Sequence, residues 1–282
     1  MKYNLKEMLR DADLRGYAVP AFNFSDCWEL KAILEAAAEL RSPVICASNM
    51  QTVNTHTPQL LGVIAQHYIE KAETPVVFHL DHANDPAVCC ELIRCGYPSV
   101  MYDGSSIAFE ENIKNTRLVT DFAAQYGVCV EAEIGRIKGQ NEESSYDGGS
   151  YLGSVEDAAR LVEEGRCDSL AVGIGNAHGF YCEKPQLHFD RLAQINDTID
   201  TPLVLHGGTG IPSEDIQQGI RSGINKVNVG TQLHFNYMDA LRRLLAVEPM
   251  KPNVFAHMDP AVEEIKKPVR EWIKVCMADG KA

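Results

Sequence analysis

Eight short apolar runs recur along the chain, separated by stretches with helical apolar spacing. They are Tyr17–Phe22, Val44–Ala47, Val76–His79, Ser99–Tyr102, Val128–Ala132, Ser169–Ile174, Leu203–Leu205 and Lys226–Val229. Continuous runs of this length, rich in β-branched residues and bounded by turn signals, predict strands buried on both faces, as in parallel sheets. Between them, Asp26–Leu40 opens on a Ser25 or Asp26 cap, and Ala108–Tyr126 and Ser154–Glu164 carry the helical period. Ser154 and Asp157 stand at capping-box spacing, Pro212 opens a further helix with Glu214 and Asp215 in its first turn, and Asp259–Met277 reads as a last helix. Eight strand–helix units predict an α/β protein, a (β/α)8 TIM barrel forming one domain over residues 1–282. The rival is a doubly wound open sheet, which places a glycine fingerprint after its first strand. The segment VPAFNFSD, residues 19–26, contains no glycine.

The net charge of -13 disfavours nucleic acid and anionic membrane surfaces as partners. No run approaches the roughly 18 apolar residues of a membrane span, and the first residues have no apolar stretch of signal-peptide type. The 9 cysteines are odd in number and form no CxxC pair, so they read as small buried hydrophobes in a reducing compartment. A cytoplasmic protein is expected.

The chemistry sits where the apolar runs end. His82, His178 and His206 each follow such a run, and residues at the C-terminal ends of barrel strands share one mouth. Three imidazoles meeting there with a fourth position open make a catalytic zinc site. Asp81, beside His82, is free to exchange a proton with substrate. Asp103 follows SVMY and Glu133 follows VCVEA, and each could hold a second metal position or orient the zinc ligands; alone, each reads equally well as a helix-capping acid. Glycine-rich turns close three of the strands: GNAHG (175–179), HGGTG (206–210) and NVGT (228–231). Loops after strands seven and eight of a barrel often bind phosphate through backbone N–H groups at a helix start. The polar, glycine-rich stretch Gly135–Gly153 is long enough to be an active-site lid, and its Glu142 and Glu143 could deliver a carboxylate on closure. The remaining histidines, His56, His67, His79, His188, His234 and His257, read as structural or surface residues. Covalent amine catalysis needs a lysine at the mouth. Lys226, the one lysine in the predicted strands, lies at the start of its strand, far from that mouth.

Together VPAFN (19–23), HLDHAND (79–85), VEAEIG (130–135), GNAHG, LVLHGGTGIP (203–212) and KVNVGT (226–231) resemble, in order, the class II zinc-dependent ketose-bisphosphate aldolases, most nearly their tagatose-bisphosphate branch. The resemblance covers nearly the whole chain. It implies reversible aldol cleavage of a phosphorylated ketose, of tagatose or fructose 1,6-bisphosphate type, to dihydroxyacetone phosphate and an aldehyde. His82, His178 and His206 would bind Zn2+, Asp81 would transfer the hydroxyl proton, and Glu142 or Glu143 the carbon-bound proton. Asp103 and Glu133 match residues holding a second or displaced metal. Asn23, Gly179, Gly207, Gly208, Thr209, Asn228, Val229, Gly230 and Thr231 would surround substrate, chiefly its phosphate. The resemblance also allows a monovalent cation, Na+ or K+, and implies a homodimer or homotetramer. Fructose-type relatives carry Asp, and tagatose-type relatives Ala, where this chain has Gly230, so a tagatose-type or relaxed specificity is expected. No arginine for the distal phosphate stands out. Two other readings are a metal-dependent barrel hydrolase, which would start from a His-x-His pair on strand one, and a non-catalytic sugar-phosphate-binding barrel with a structural metal.

Overall fold

The computed structural model describes residues 4–137, 151–181, 184–247 and 252–282. Glu142 and Glu143, with most of the 135–153 stretch, lie outside the described residues. Eight parallel strands close into a barrel in sequence order: β1 (Val19–Asn23), β2 (Val44–Ser48), β3 (Val76–Ala83), β4 (Ser99–Tyr102), β5 (Cys129–Ile134), β6 (Ser169–Val172), β7 (Leu203–Leu205) and β8 (Ile224–Val229), with β8 pairing back onto β1. The fold is a TIM barrel. Every strand residue except His82 is buried, which is why the strands read as unbroken apolar runs rather than alternating ones.

Helices surround the barrel: α1 (Leu5–Arg15), α2 (Cys27–Leu40), α3 (Met50–His56), α4 (Pro58–Lys71), α5 (Pro86–Arg94), α6 (Phe109–Ala124), α7 (Val155–Gly165), α8 (Phe189–Asn196), α9 (Ser213–Arg221), α10 (Thr231–Leu245) and α11 (Phe255–Val275). The caps follow the sequence signals. Ser154 Oγ accepts from the Asp157 N–H at the start of α7, and Asp26 accepts from the N–H groups of Trp28 and Glu29 at the start of α2. The last helix begins at Phe255, four residues before the predicted start, and continues through Pro260 and Pro268. It packs on α2 and α10, and that tertiary contact outweighs the backbone bonds lost at the two prolines. No helix among the described residues is long and apolar enough to cross a membrane.

Two departures in the strands position the site. β3 runs to Ala83 rather than stopping at His79, so Asp81 and His82 belong to it. Its pairing with β4 shifts register between Leu80 and Ala83, and His82 there takes a left-handed φ of 51°. A bulge of this kind re-aims a side chain, and a non-glycine residue held at positive φ marks a place where function overrides local preference. The second departure is the barrel interior. Beside a small apolar cluster of Met101, Ala171 and Val204, it holds the buried polar residues His79, Ser99, Glu131, Ser169 and Lys226.

The α2 cap ties that helix to α10, because the second oxygen of Asp26 accepts from the Tyr237 hydroxyl at 2.9 Å. Replacing Asp26 by Ala is expected to destabilise the protein by about 1–2 kcal/mol, the usual cost of losing an N-cap. Urea denaturation checks this; an unchanged midpoint would show that the cap contributes nothing.

Candidate active site

The three histidines at the ends of β3, β6 and β7 converge. His82 Nε2 lies 3.0 Å from His178 Nε2 and 2.9 Å from His206 Nδ1. Tetrahedral zinc with Zn–N near 2.0–2.1 Å sets its nitrogens about 3.3 Å apart, so the cluster is close to the spacing such an ion needs. The outer nitrogens of His82 and His206 are engaged by carboxylates, which turns their other nitrogens towards one point. His82 Nδ1–H donates to Asp103 Oδ2 at 2.8 Å, and His206 Nε2–H donates to Glu131 Oε1 at 2.9 Å. Burial, reinforced by the charge of His82, pushes His206 well below the usual imidazole range, so it is a neutral ligand. His82 goes the other way: burial lowers it, but Asp81, Asp103 and Glu133 outweigh burial and raise it to about 10. Asp103 is anchored in turn by the backbone N–H and hydroxyl of Ser105.

Glu133 sits in β5 with Oε2 buried and unpartnered, 3.8 Å from His82 Nδ1. Burial first, and then Asp103, raises its carboxyl to about 8. A buried carboxylate oxygen with no hydrogen-bond partner, next to the acidic Asp103, is what a cation would satisfy, and His82, Asp103 and Glu133 form a second set of donors close enough to hold one. The donor chemistry at both positions therefore fits a divalent metal.

Asp81 borders the cluster. Its Oδ1 lies 3.8 Å from His206 Nδ1 and accepts from Asn228 Nδ2 at 3.0 Å, while Oδ2 accepts from Asn23 Nδ2 at 2.7 Å. Burial raises its pKa, but His82 first, then Lys226 and the Asn23 hydrogen bond, more than offset this and hold it below the usual carboxylate range. The carboxylate is thus ionised, oriented and able to take a proton. Asn23, expected among substrate contacts, both lines the cavity and holds Asp81.

A cavity of about 510 Å³ opens over these groups. Gly179, Gly207, Thr209, Asn228, Gly230 and Thr231 line it along the ends of β6, β7 and β8. Gly207 needs to be glycine twice over: its φ is 68°, and a Cβ would fall 2.0 Å from the Ala177 carbonyl oxygen. Two of the anticipated contacts do not face the cavity. The Gly208 N–H is bonded to the Asn228 carbonyl at 3.0 Å, and Val229 is fully buried in the core. Asn176 of GNAHG pins the turn, bonding the Ile174 N–H and the His206 carbonyl.

Several residues on the site escaped the sequence reading. Lys226 is not remote. Its Nζ crosses the barrel interior to Glu131 Oε2 at 2.6 Å and lies 3.2 Å from His79 Nε2, while Glu131 Oε1 holds His206. His79 is the satisfied core histidine expected, with Nδ1 on Ser99 Oγ at 2.8 Å. The signal for this layer was present, since His79/Asp81, Glu131/Glu133 and Lys226/Asn228 are pairs two apart that share a strand face. His234, read as structural or surface, lines the cavity with Nδ1 bonded to buried Glu29 at 2.7 Å. It lies one helical turn after Thr231. Arg136 and Asn49 also line the cavity.

The Lys226–Glu131 pair is fully buried. Lys226→Met leaves Glu131 as an uncompensated buried charge and is expected to cost about 3–5 kcal/mol in chelator-treated protein, with over half of the loss recovered in the Lys226→Met/Glu131→Gln double variant. Urea denaturation of the three proteins measures it; a single variant within 1 kcal/mol of the parent would contradict the ion-pair assignment.

Comparison with known proteins agrees with this geometry. The profile of the family "Fructose-bisphosphate aldolase class-II" matches residues 3–281. The YdjI aldolase of Escherichia coli K12 superposes with a TM-score of 0.89 at 32% identity, covering 100% of both chains. The fructose-bisphosphate aldolase of Campylobacter jejuni, at 22% identity, shares the fold with a TM-score of 0.81 over 99% of this chain and 95% of its own. The chain is an aldolase and belongs to the class II fructose-bisphosphate aldolase family.

Proposed function

We propose that this aldolase depends on zinc and reversibly cleaves a phosphorylated ketose, of tagatose or fructose 1,6-bisphosphate type, to dihydroxyacetone phosphate and an aldehyde. The observation that carries the reading is the meeting of His82 Nε2, His178 Nε2 and His206 Nδ1 beside an ionised Asp81 at the floor of the cavity. Bound to the three histidines, the zinc would act as a Lewis acid on the substrate's ketone oxygen.

The chain's own residues supply the rest. Asp81 Oδ1 or Oδ2 takes the proton from the hydroxyl that becomes the aldehyde, which allows the adjacent carbon–carbon bond to break, and returns it in the condensation direction. Asn23 and Asn228 hold that carboxylate in one orientation. The substrate phosphate lies against the turns at Gly207–Thr209 and Gly230–Thr231, where α10 begins and its N-terminal end favours an anion. Glu142 or Glu143 handles the carbon-bound proton of the three-carbon half. Gly230 presents no side chain to the cavity, so no carboxylate there selects one hydroxyl configuration, and the specificity is tagatose-type or relaxed.

Alanine at His82, His178 or His206 should in each case remove most of the zinc and nearly all cleavage while leaving the barrel folded, because a three-ligand site has no ligand to spare. Metal analysis of the purified variants decides; stoichiometric zinc in one of them removes that histidine from the set. Asp81→Ala should retain zinc and slow turnover by about 100-fold or more. A rate within a few-fold of the parent would assign proton transfer elsewhere. Borohydride should trap no covalent adduct with substrate, and a trapped adduct would end the metal mechanism. For substrate choice, steady-state kinetics on tagatose and fructose 1,6-bisphosphates should show tagatose turned over at least as efficiently. Exclusive preference for the fructose isomer would refute the Gly230 reading and leave the aldolase assignment intact.

A further inference from the structure

Two of the histidines reach the cavity on glycine-rich chain. Gly175 and Gly179 stand either side of His178 on the loop after β6, and Gly207, Gly208 and Gly210 follow His206 on the turn after β7. Glycines allow these paths but give them no stiffness of their own. The loop and the turn meet backbone to backbone, since a Cβ at Gly207 would fall 2.0 Å from the Ala177 carbonyl oxygen. Side chains join them. Asn176 makes one link, to the His206 carbonyl. Tyr181 makes another. Its hydroxyl accepts from the Ala177 N–H at 2.8 Å and donates to the Gly207 carbonyl at 3.1 Å. A hydroxyl can accept and donate at once, so one atom serves both backbones. The ring packs against the apolar core and lies over Gly210, where a Cβ would come within 3.1 Å of Cδ2. One phenol thus bonds the residue before His178 and the residue after His206, and backs the far end of the HGGTG turn.

We infer that Tyr181 is a positioning residue: its hydroxyl straps the β6 loop to the β7 turn, and so sets both the approach of His178 to His206 and the place of the Gly207–Thr209 turn. The inference rests on the proposed roles of that loop and turn in holding zinc and phosphate. Tyr181 stands behind the residues that line the cavity and acts through their backbone. Without the hydroxyl, the Ala177 N–H and the Gly207 carbonyl lose this partner, and Asn176 is left as a single link about which loop and turn can pivot.

Y181F tests this, because it removes the hydroxyl and keeps the ring. Y17F is the control: Tyr17 gives up a hydroxyl bond to Asp11 just before β1, at the opposite end of the barrel. Chelator competition on the purified proteins should show Y181F holding zinc about 10-fold more weakly than the parent, the low end for losing a group that supports metal ligands. At saturating zinc the ion itself draws the histidines together, and the displaced turn is what remains. KM for the ketose phosphate that the parent cleaves best should then rise about 5-fold with kcat within about 2-fold, the pattern of lost uniform binding. Y17F should match the parent in both. Zinc affinity and KM of Y181F both within about 2-fold of the parent would overturn the proposal, as would a change in only one of them or equal changes in Y17F. A parent that binds zinc but cleaves no ketose phosphate would sink the substrate reading instead, and the zinc comparison then decides the strap. A crystal structure of Y181F decides it independently of both readings: the Ala177 and Gly207 backbones should part by about 1 Å, and an unchanged approach would overturn it.

Discussion

A charge buried at the centre of the barrel organises this active site. Lys226 and Glu131 are both fully buried, and neither could stay ionised there alone. Paired at 2.6 Å, they leave Glu131 with one oxygen free to hold His206, and that contact fixes which nitrogen of the ring faces the cavity. Burial raises the Glu131 pKa, but Lys226 above all brings it down, so the carboxylate remains a strong acceptor. A buried ion pair is weak evidence for stability. Here it serves direction: a ligand with the wrong tautomer would point N–H rather than a lone pair at the metal position.

The same logic extends outward in both directions. On the β3–β5 side, Asp103 fixes His82 as Glu131 fixes His206, and the bulge at Leu80–Ala83 swings His82 to where Asp103 can reach it. On the β8–β1 side, two asparagine amides fix Asp81. His206 and Asp81 are thus held by neighbours on other strands and His82 by the residue that follows β4, and the closed barrel supplies the rigidity. Small residues do the remaining work at the rim. Gly207 permits a turn that no side chain could occupy, and Gly230 leaves the cavity wall without a side chain.

Much of this was legible in the sequence. Wholly buried strands write themselves as apolar runs, and their C-terminal ends must meet in a barrel, so three strand-end histidines could be brought together before any coordinates. What was hidden was depth and reach. Lys226 was judged by its position along β8, but its long side chain spans the interior, and sequence gives no distance across a barrel. The polar letters of HLDHAND suggested that β3 had ended, yet Asp81 can stay in a strand because two amides satisfy it. His234 passed as a surface residue because helix side chains lean back towards the N-terminus, here carrying the ring to the cavity rim. Gly208 and Val229 looked like ligand contacts because they sit in the right motifs, but the Gly208 N–H is committed to the Asn228 carbonyl, and Val229, next to Asn228 in β8, faces the core.

The central claim is that three ring nitrogens, two of them oriented by the carboxylates of Asp103 and Glu131, form an open metal position. Zinc-edge X-ray absorption on the zinc-loaded protein tests it most directly. The account predicts about three nitrogen ligands near 2.0–2.1 Å with the remaining coordination supplied by oxygen, and loss of most of that bound-zinc signal when His206 is replaced. A sulfur ligand, a closed shell of four protein nitrogens, or a spectrum unchanged by that replacement would contradict it.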